Sequence, residues 1–345
     1  MQNFDFDGKC AFVRVDFNVP LKDGVIGDDT RIRAAIPTIK HILNNGGAVI
    51  CASHLGRPKG QVVEDLRMKP VAEHLQKLLG DEHNVLHTGS VCGADAIAAA
   101  EALEASEVLV LENLRFEEGE TKNDAELATK LARMADVFVQ DAFGTCHRAH
   151  ASTAGVPALL KPALPGMLLQ KEIDAFASAF DNPQRPVVAV IGGAKVSDKI
   201  VVLENLLDKV DSLVIGGGMA YTFLKAQNID IGSSLCEDDR LETARAVLAA
   251  AAAKGVQVLL PHDHLVADEF SNSANTQTVT GAIPEGWMGL DIGPESVKDF
   301  QKCLLNASTV VWNGPMGVFE LEAFSQGTSA IAKVLAESDC FSVVG

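Results

Sequence analysis

The sequence is short of several features, and each shortage excludes a class of protein. Nowhere do uncharged apolar residues run on for the ~18 positions that a membrane-spanning helix needs. The seven cysteines are scattered and form no Cys-x-x-Cys pair, which argues against a disulfide framework and indicates free thiols in a reducing cytoplasm. Lysine and arginine number 29 against 46 acidic residues, and this net charge of −17 argues against nucleic acid and anionic membranes as partners. We therefore expect a cytoplasmic protein that binds neither.

Aromatic side chains are also scarce, at 5% of the residues, although 47% are hydrophobic. Alanine, valine and leucine supply most of that fraction, as is typical of parallel sheets covered by helices. A chain of 345 residues exceeds one ordinary hydrophobic core, so we expect two domains.

Short apolar runs alternate with amphipathic stretches along the whole chain. The runs predict strands at residues 11–15, 48–52, 108–111, 137–139, 187–191, 212–215, 257–260, 309–312 and 341–344. The stretches between them predict helices such as 31–44, 69–79, 124–135 and 242–253. This alternation predicts an α/β fold with parallel sheets and right-handed crossovers. Proline-rich residues 157–165 mark the boundary, so we predict a first domain over 1–165, a connecting helix over 166–181 and a second domain over 182–345.

A glycine turn follows the strand predicted at 187–191. Gly192 and Gly193 end the strand, and we predict a helix directly after them that carries Lys195 and Lys199 on one face. The free N–H groups and the dipole at the start of a helix attract anions, and a phosphate would fit there. Such turns also occur for packing alone, and Asp198 is close enough in sequence to pair with Lys195. Both interpretations stay open at this point.

Cationic and polar side chains follow four predicted strands of the first half, at the end where parallel sheets bind ligands. They are Asp16 and Asn18 after the first strand, His54 and Arg57 after the second, Arg115 after the third and Arg148 after the fourth, with Arg31 at the start of the first helix. Converging guanidiniums repel one another, so the pattern indicates a multiply charged anion such as a phosphate or carboxylate. Each arginine taken alone could equally be a solvated surface residue. Asp16 could equally be a turn residue at the end of a strand.

The second half is rich in glycine turns instead, at residues 216–218, 289–293 and 314–317. Glycine lets the backbone approach a ligand closely, which favours a nucleotide, although no P-loop motif is present. His262, Asp263 and His264 are residue types that bind metals, but no third partner lies at a suitable spacing. We interpret that stretch as a loop and predict no metal site.

Six motifs together resemble the phosphoglycerate kinase family. They occupy residues 14–20, 53–58, 112–116, 143–150, 192–199 and 312–315, and the similarity runs in order from residue 13 to the last residue. The resemblance implies two Rossmann-like domains whose parallel sheets face a hinged cleft. It also implies a monomer that reversibly transfers the acyl phosphoryl group of 1,3-bisphosphoglycerate to ADP, giving 3-phosphoglycerate and ATP, with Mg²⁺ accompanying the nucleotide.

The resemblance further implies a role for each matching residue. The residues expected to hold the 3-phosphate are His54, Arg57, Arg115 and Arg148, and those expected on the glycerate are Asp16 and Asn18. Arg31 and Lys195 are expected to be catalytic: Arg31 reaches the carboxyl oxygen and the phosphoryl group, and Lys195 neutralises that group from the nucleotide side. Lys199 is expected to hold nucleotide phosphates. The expected adenosine site consists of Gly193, Ala194, Gly218, Asn313, Pro315 and Val318, with Glu320 on the ribose.

The sequence departs from the family at its end. In the family, a strand like 341–345 is followed by a Gly-Gly-Asp-Thr turn and a helix that serve the nucleotide phosphates and Mg²⁺, and this sequence stops before them. We therefore expect a truncated chain that binds 3-phosphoglycerate and turns over little. The alternatives are an NAD-dependent oxidoreductase built on the glycine turns and an inactive, substrate-binding fragment of the kinase.

Overall fold

The computed structural model describes residues 1–345 and has an α/β fold, as predicted. The strands are β1 Cys10–Arg14, β2 Leu21–Lys22, β3 Val25–Ile26, β4 Ala48–Ala52, β5 Asn84–His87, β6 Glu107–Val110, β7 Val137–Gln140, β8 Ala163–Pro165, β9 Val187–Ile191, β10 Ser212–Ile215, β11 Gln257–Leu259, β12 Asp263–Ala267, β13 Thr276–Thr280, β14 Met288–Ile292, β15 Thr309–Asn313 and β16 Phe341–Val344. The α-helices are α1 Thr30–Asn44, α2 Lys69–Leu79, α3 Ala94–Glu101, α4 Glu118–Thr121, α5 Ala125–Ala132, α6 Val156–Leu159, α7 Met167–Phe180, α8 Ile200–Leu206, α9 Met219–Ala226, α10 Leu241–Lys254, α11 Pro294–Leu305 and α12 Gln326–Glu337. None of the helices combines the length and the apolar character that crossing a membrane requires.

Contacts between Cα atoms divide the chain into two compact units, Met1–Asp174 and Ala175–Gly345. The division falls within α7. The domain limits given above, 1–165, 166–181 and 182–345, stay a prediction, as do the hinge and the cleft.

The first unit is built on a six-stranded parallel sheet in the order β5-β6-β4-β1-β7-β8. Successive side chains of a strand face opposite sides of a sheet, and β1 shows this alternation. Val13 lies in the core on one side together with Ile39 of α1, whereas Phe12 lies in the core on the other side together with Leu131 of α5. Both faces are therefore covered, and the ends of the strands are left as the accessible edges.

The second unit contains a five-stranded parallel sheet in the order β11-β10-β9-β15-β16. All five residues of β9 are buried, as the run of β-branched residues predicts. Val187 and Ala189 pack into one core, and Val188 and Val190 into the other.

The second unit also contains an antiparallel sheet in the order β13-β12-β14, which the sequence patterns did not predict. Asp263 and His264 are the first residues of β12, so interpreting them as a loop was wrong. The carboxylate of Asp263 accepts hydrogen bonds from the backbone N–H groups of Glu295, at 2.9 Å, and Ser296, at 2.7 Å. Asp263 therefore satisfies free donors in the first turn of α11.

The helix predicted directly after Gly193 was also placed wrongly. Helix α8 begins only at Ile200, and residues 194–199 form turns. Lys195 and Lys199 therefore lie before the helix and share no helix face. Of the two interpretations left open above, the one in which a helix starting at the glycines binds a phosphate does not apply, and the roles of Lys195 and Lys199 stay predictions.

Candidate active site

Four parallel strands of the first unit, β6, β4, β1 and β7, end at one edge of the sheet. A cavity of about 630 Å³ opens at this edge. Five of the predicted site residues line it, namely Asn18, His54, Arg57, Arg115 and Arg148. The edge thus brings together side chains from four separate loops, as the strand-end pattern predicted.

Hydrogen bonds between neighbouring loops fix the shape of this cavity. The side-chain oxygen of Asn18 accepts a bond of 2.9 Å from the backbone N–H of Gly56. The guanidinium of Arg115 donates through Nη1 to the carbonyl oxygen of the same Gly56, at 2.6 Å. Asn113 is fully buried and bonds both the N–H and the carbonyl of Leu55, at 3.1 and 2.7 Å. The loops after β1, β4 and β6 are therefore held to one another.

The cavity lining carries more positive than negative side chains. Burial, together with the neighbouring charges of Arg148 and Arg57, lowers the pKa of Arg115. The Nε atom of Arg115 is buried and has no hydrogen-bond partner. Guanidiniums held together in this way are stabilised by an anion that accepts from several of them at once.

Asp16 and Arg31 do not line this cavity. They form an ion pair of 2.7 Å, in which the Arg31 side chain is about half exposed. Asp16 also accepts a bond of 3.2 Å from the backbone N–H of Asn18, which ties the pair to the cavity wall.

Sequence reasoning missed a buried polar network behind the cavity. Arg14, Glu120 and Ser152 are almost completely buried, and His150 lines the cavity in front of them. The available signal for Arg14 was its position between the apolar residues Val13 and Val15, since charged residues are rarely buried without a partner. No comparable pattern marks Glu120.

In the second unit, three glycine turns meet at the carboxyl ends of the adjacent strands β10, β9 and β15. A Cβ atom on Gly192 would lie 2.0 Å from the carbonyl oxygen of Pro315. Gly217 and Gly314 both have positive φ, of +67° and +88°, and a Cβ on either would also overlap backbone atoms. Backbone packs directly against backbone here, so the glycines are required by contact as well as by conformation.

These turns form one wall of a second cavity of about 770 Å³ with a mainly apolar lining. Six predicted residues line it, namely Gly193, Ala194, Gly218, Pro315, Val318 and Glu320. Apolar side chains that were not predicted complete it, including Tyr221, Leu235, Phe270, Met288 and Leu321. A largely apolar cavity beside glycine-rich backbone suits a flat ring attached to a phosphorylated group.

Lys199 and Asn313 lie outside the lining of this cavity. They are bonded to each other, Nζ donating to the side-chain oxygen of Asn313. Lys195 is exposed on the turn that follows Gly193 and Ala194.

Comparisons with known proteins agree with this arrangement. The model of the phosphoglycerate kinase family matches residues 1–345. The chain belongs to the phosphoglycerate kinase family. It is 56% identical over 334 residues to phosphoglycerate kinase of Synechococcus elongatus, covering 96% of this chain and 83% of that protein. It is 55% identical over 336 residues to the chloroplastic phosphoglycerate kinase of Volvox carteri, covering 96% of this chain and 72% of that protein.

A solved structure is similar as well. The structure of phosphoglycerate kinase from Coxiella burnetii matches with a TM-score of 0.90 and 44% identity, covering all of this chain and 87% of that one. The chain is thus a glycolytic phosphotransferase that moves a phosphoryl group between 1,3-bisphosphoglycerate and ADP. Nothing in the comparisons favours the NAD-dependent alternative. The expected truncation after residue 345 stays a prediction.

Proposed function

We propose that the cavity of the first unit binds the phosphoglycerate and that its arginines hold the non-transferring 3-phosphate. One observation carries this proposal: Arg57, Arg115 and Arg148, from three different loops, line a single cavity. His54 lines it as well and supplies a neutral donor, because burial and the nearby guanidiniums lower its pKa to about 2. A dianionic phosphate would accept bonds from several of these groups and relieve their mutual repulsion.

Asp16 and Asn18 are proposed to contact the glycerate end. Asn18 is already on the wall of the cavity, and Asp16 is tied to it through the backbone N–H of Asn18. The ion pair between Asp16 and Arg31 supports a position for Arg31 close to the carboxyl group of the substrate.

The apolar cavity of the second unit is proposed to hold the adenosine of ADP or ATP. Gly193, Ala194 and Gly218 would lie against the nucleotide with their backbone, because glycine turns leave room for close approach. Pro315 and Val318 would cover its other side, and Glu320 would accept from the ribose hydroxyls. Lys199 and its partner Asn313 are proposed to meet the phosphates.

Arg31 and Lys195 are the proposed catalytic residues. Phosphoryl transfer leaves little covalent chemistry to the protein, so the work consists of positioning and of neutralising charge on the transferred group. Both side chains are exposed and neither is locked into the interior, which leaves them available to a substrate.

We propose that Mg²⁺ arrives as a complex with the nucleotide phosphates. No group of three or more His, Cys, Asp or Glu side chains in residues 1–345 is placed to hold a metal ion, so the chain's own residues do not fit a resident metal site. A monomeric state is proposed from the family resemblance, and a cytoplasmic location from the seven free cysteines. Gel filtration of the chain and fractionation of its source cells test them, with a dimer or an organellar fraction as the contradicting result.

The experiment that tests the two cavities is calorimetric titration of the chain with 3-phosphoglycerate and, separately, with ATP. Arg148→Ala is expected to weaken the binding of 3-phosphoglycerate and leave that of ATP unchanged. Val318→Trp, which fills the apolar cavity, is expected to weaken only the binding of ATP. If each variant weakened the binding of the other ligand instead, the assignment of the cavities would be wrong.

A further inference from the structure

Glu120 is a buried carboxylate that none of the roles above uses. It lies on the short helix α4 with a fully buried side chain, directly behind the cavity of the first unit. Its oxygens accept bonds of 2.6 Å from the hydroxyl and 3.0 Å from the backbone N–H of Ser152. A carboxylate removed so completely from water is costly unless it is fully paired, so its partners are informative.

The Ser152 hydroxyl group is also hydrogen-bonded to Arg14. Because the hydroxyl donates its hydrogen to Glu120, its oxygen is free to accept from Arg14 Nε, at 2.8 Å. Arg14 is the largest fully buried side chain of the protein, and the negative charge of Glu120 is one of the groups that favour its ionised form. Two opposite buried charges are thus joined through one hydroxyl group.

Arg14 in turn fixes the imidazole of His54. Its Nη2 lies 3.2 Å from Nδ1 of His54. Arginine has only donors, so Nδ1 must be the acceptor and the proton of the neutral ring must lie on Nε2. Since His54 lines the cavity, it can offer that Nε2–H to a bound anion.

His150, the other cavity histidine in contact with this network, faces the same carboxylate. Nδ1 of His150 lies 3.7 Å from Oε1 of Glu120. This contact turns the Nδ1 edge of the ring toward the buried carboxylate. Burial alone would raise the pKa of Glu120, but His150, Arg14 and Ser152 outweigh it and keep the carboxyl group ionised.

We infer that Glu120 is a positioning residue of the phosphoglycerate cavity, which orients His54 through Ser152 and Arg14 so that its Nε2–H faces the substrate phosphate, and which holds the ring of His150 directly. The inference rests on the proposed function of that cavity. Replacing a buried ion pair with apolar residues of the same volume is often neutral for stability, so a packing role alone gives little reason for the pair. The orientation of the His54 donor toward the phosphate gives one.

The test combines nitrogen-15 NMR of the histidine rings with calorimetric titration of 3-phosphoglycerate. In the unchanged chain, His54 is expected to be neutral with its proton on Nε2 between pH 6 and pH 8, a range set about its ordinary titration near 6.5. Finding the proton on Nδ1, or a doubly protonated ring, would overturn the inference without any variant.

Two variants then separate the branches of the network. Glu120→Gln is expected to disturb the ring resonances of both histidines and to raise the Kd of 3-phosphoglycerate about tenfold, the cost of roughly one charge-assisted hydrogen bond. Ser152→Ala removes the hydroxyl that joins Glu120 to Arg14 and keeps the pair of Glu120 and His150, so it should disturb the ring resonances of His54 more than those of His150. Glu126→Gln, on the exposed face of α5, is the matched control and should change neither the histidine ring resonances nor the Kd of 3-phosphoglycerate.

The outcomes distinguish this inference from the proposed function. If Arg148→Ala leaves the Kd unchanged, the cavity is not the phosphoglycerate site and the proposed function fails. If Arg148→Ala weakens binding but both Glu120→Gln and Ser152→Ala leave the histidine rings unchanged, only the positioning role is wrong. Should Glu120→Gln not fold, Ser152→Ala and the ring protonation of the unchanged chain still decide it.

Discussion

Gly192 and Pro315 are in direct backbone contact at the glycine-rich edge of the second unit. A Cβ atom on Gly192 would come within 2.0 Å of the carbonyl oxygen of Pro315, far inside any van der Waals contact. The same glycine donates its N–H to the carbonyl of Asn313, at 2.9 Å. The two loops therefore cannot separate to admit a side chain without breaking a hydrogen bond.

Gly192→Ala should accordingly destabilise the protein by about 3 kcal/mol, the upper part of the usual range for overpacking a rigid site. It should also weaken ATP binding, because the turn lies next to Gly193 in the proposed nucleotide cavity. Gly27→Ala is the control, since a Cβ there would meet only ordinary contacts at 3.8 Å. Urea unfolding measures the loss of stability in each of the two variants, and equal losses would contradict the packing argument.

Removing a cavity arginine should weaken phosphoglycerate binding without unfolding the chain. For Arg57→Ala and Arg148→Ala we expect the Kd of 3-phosphoglycerate to rise by about 10- to 100-fold, as for the loss of a hydrogen bond between charged groups. Arg133→Ala removes an exposed arginine at the end of α5 and should leave the Kd unchanged. A similar Kd in all three variants would show that the anion binds elsewhere.

The exposed Lys195 should affect the rate and leave the fold intact. Lys195→Met keeps the length of the side chain and removes its charge, so we expect kcat to fall by about 100-fold, the typical effect of losing one group that stabilises transition-state charge. Arg31→Ala should act in the same direction. Lys333→Met, on the exposed face of α12, is the control. A coupled assay that finds most of kcat retained in Lys195→Met would refute its catalytic role.

Stability should depend on pH through Asp291, which lies on β14 under the second cavity. Burial raises the pKa of Asp291 to about 6, even though the N–H groups of Ile292 and Gly327 bond its carboxylate. Because the folded-state pKa is above the unfolded one, the neutral form stabilises the fold below about pH 4, and this contribution is lost as the pH rises to about 6. Above about pH 6 the Asp291 carboxyl group is ionised in both the folded and the unfolded state, so its contribution to stability is fully lost.

The measurement is the free energy of unfolding of Asp291→Asn and of the unchanged chain across this range. The difference, variant minus unchanged chain, should grow by about 3 kcal/mol between about pH 4 and pH 7 and stay constant above, since one pKa unit equals about 1.4 kcal/mol. A difference that does not vary with pH would mean that Asp291 titrates alike in the folded and unfolded states.

The parallel sheets could be predicted because their signal is local. Runs such as 48–52 and 187–191 are apolar throughout and bounded by turn residues, and the structure has strands at those residues. Once the strands are known, parallel geometry places the loops after them at one edge, which is why Arg57, Arg115 and Arg148 could be grouped from the amino-acid sequence alone.

The remaining features depend on contacts that no local pattern shows. Strand β13 is exposed along most of Thr276–Thr280 and has no apolar alternation, so it is recognised only by its pairing with β12. No side chain caps the start of α8 at Ile200, so no capping pattern in the sequence marks where this helix begins. Glu120 and Ser152 are 32 residues apart, and only the folded chain places them in hydrogen-bond contact.

The central claim is that each unit has its own ligand, the phosphoglycerate at the arginine edge and the nucleotide at the glycine edge. Backbone NMR of the chain during separate titrations with 3-phosphoglycerate and ATP tests it most directly. The account predicts that 3-phosphoglycerate shifts the amides of Asn18, Gly56 and Arg115, and that ATP shifts those of Gly193, Gly218 and Val318. Shifts from 3-phosphoglycerate at the glycine turns, with the arginine loops unchanged, would contradict it.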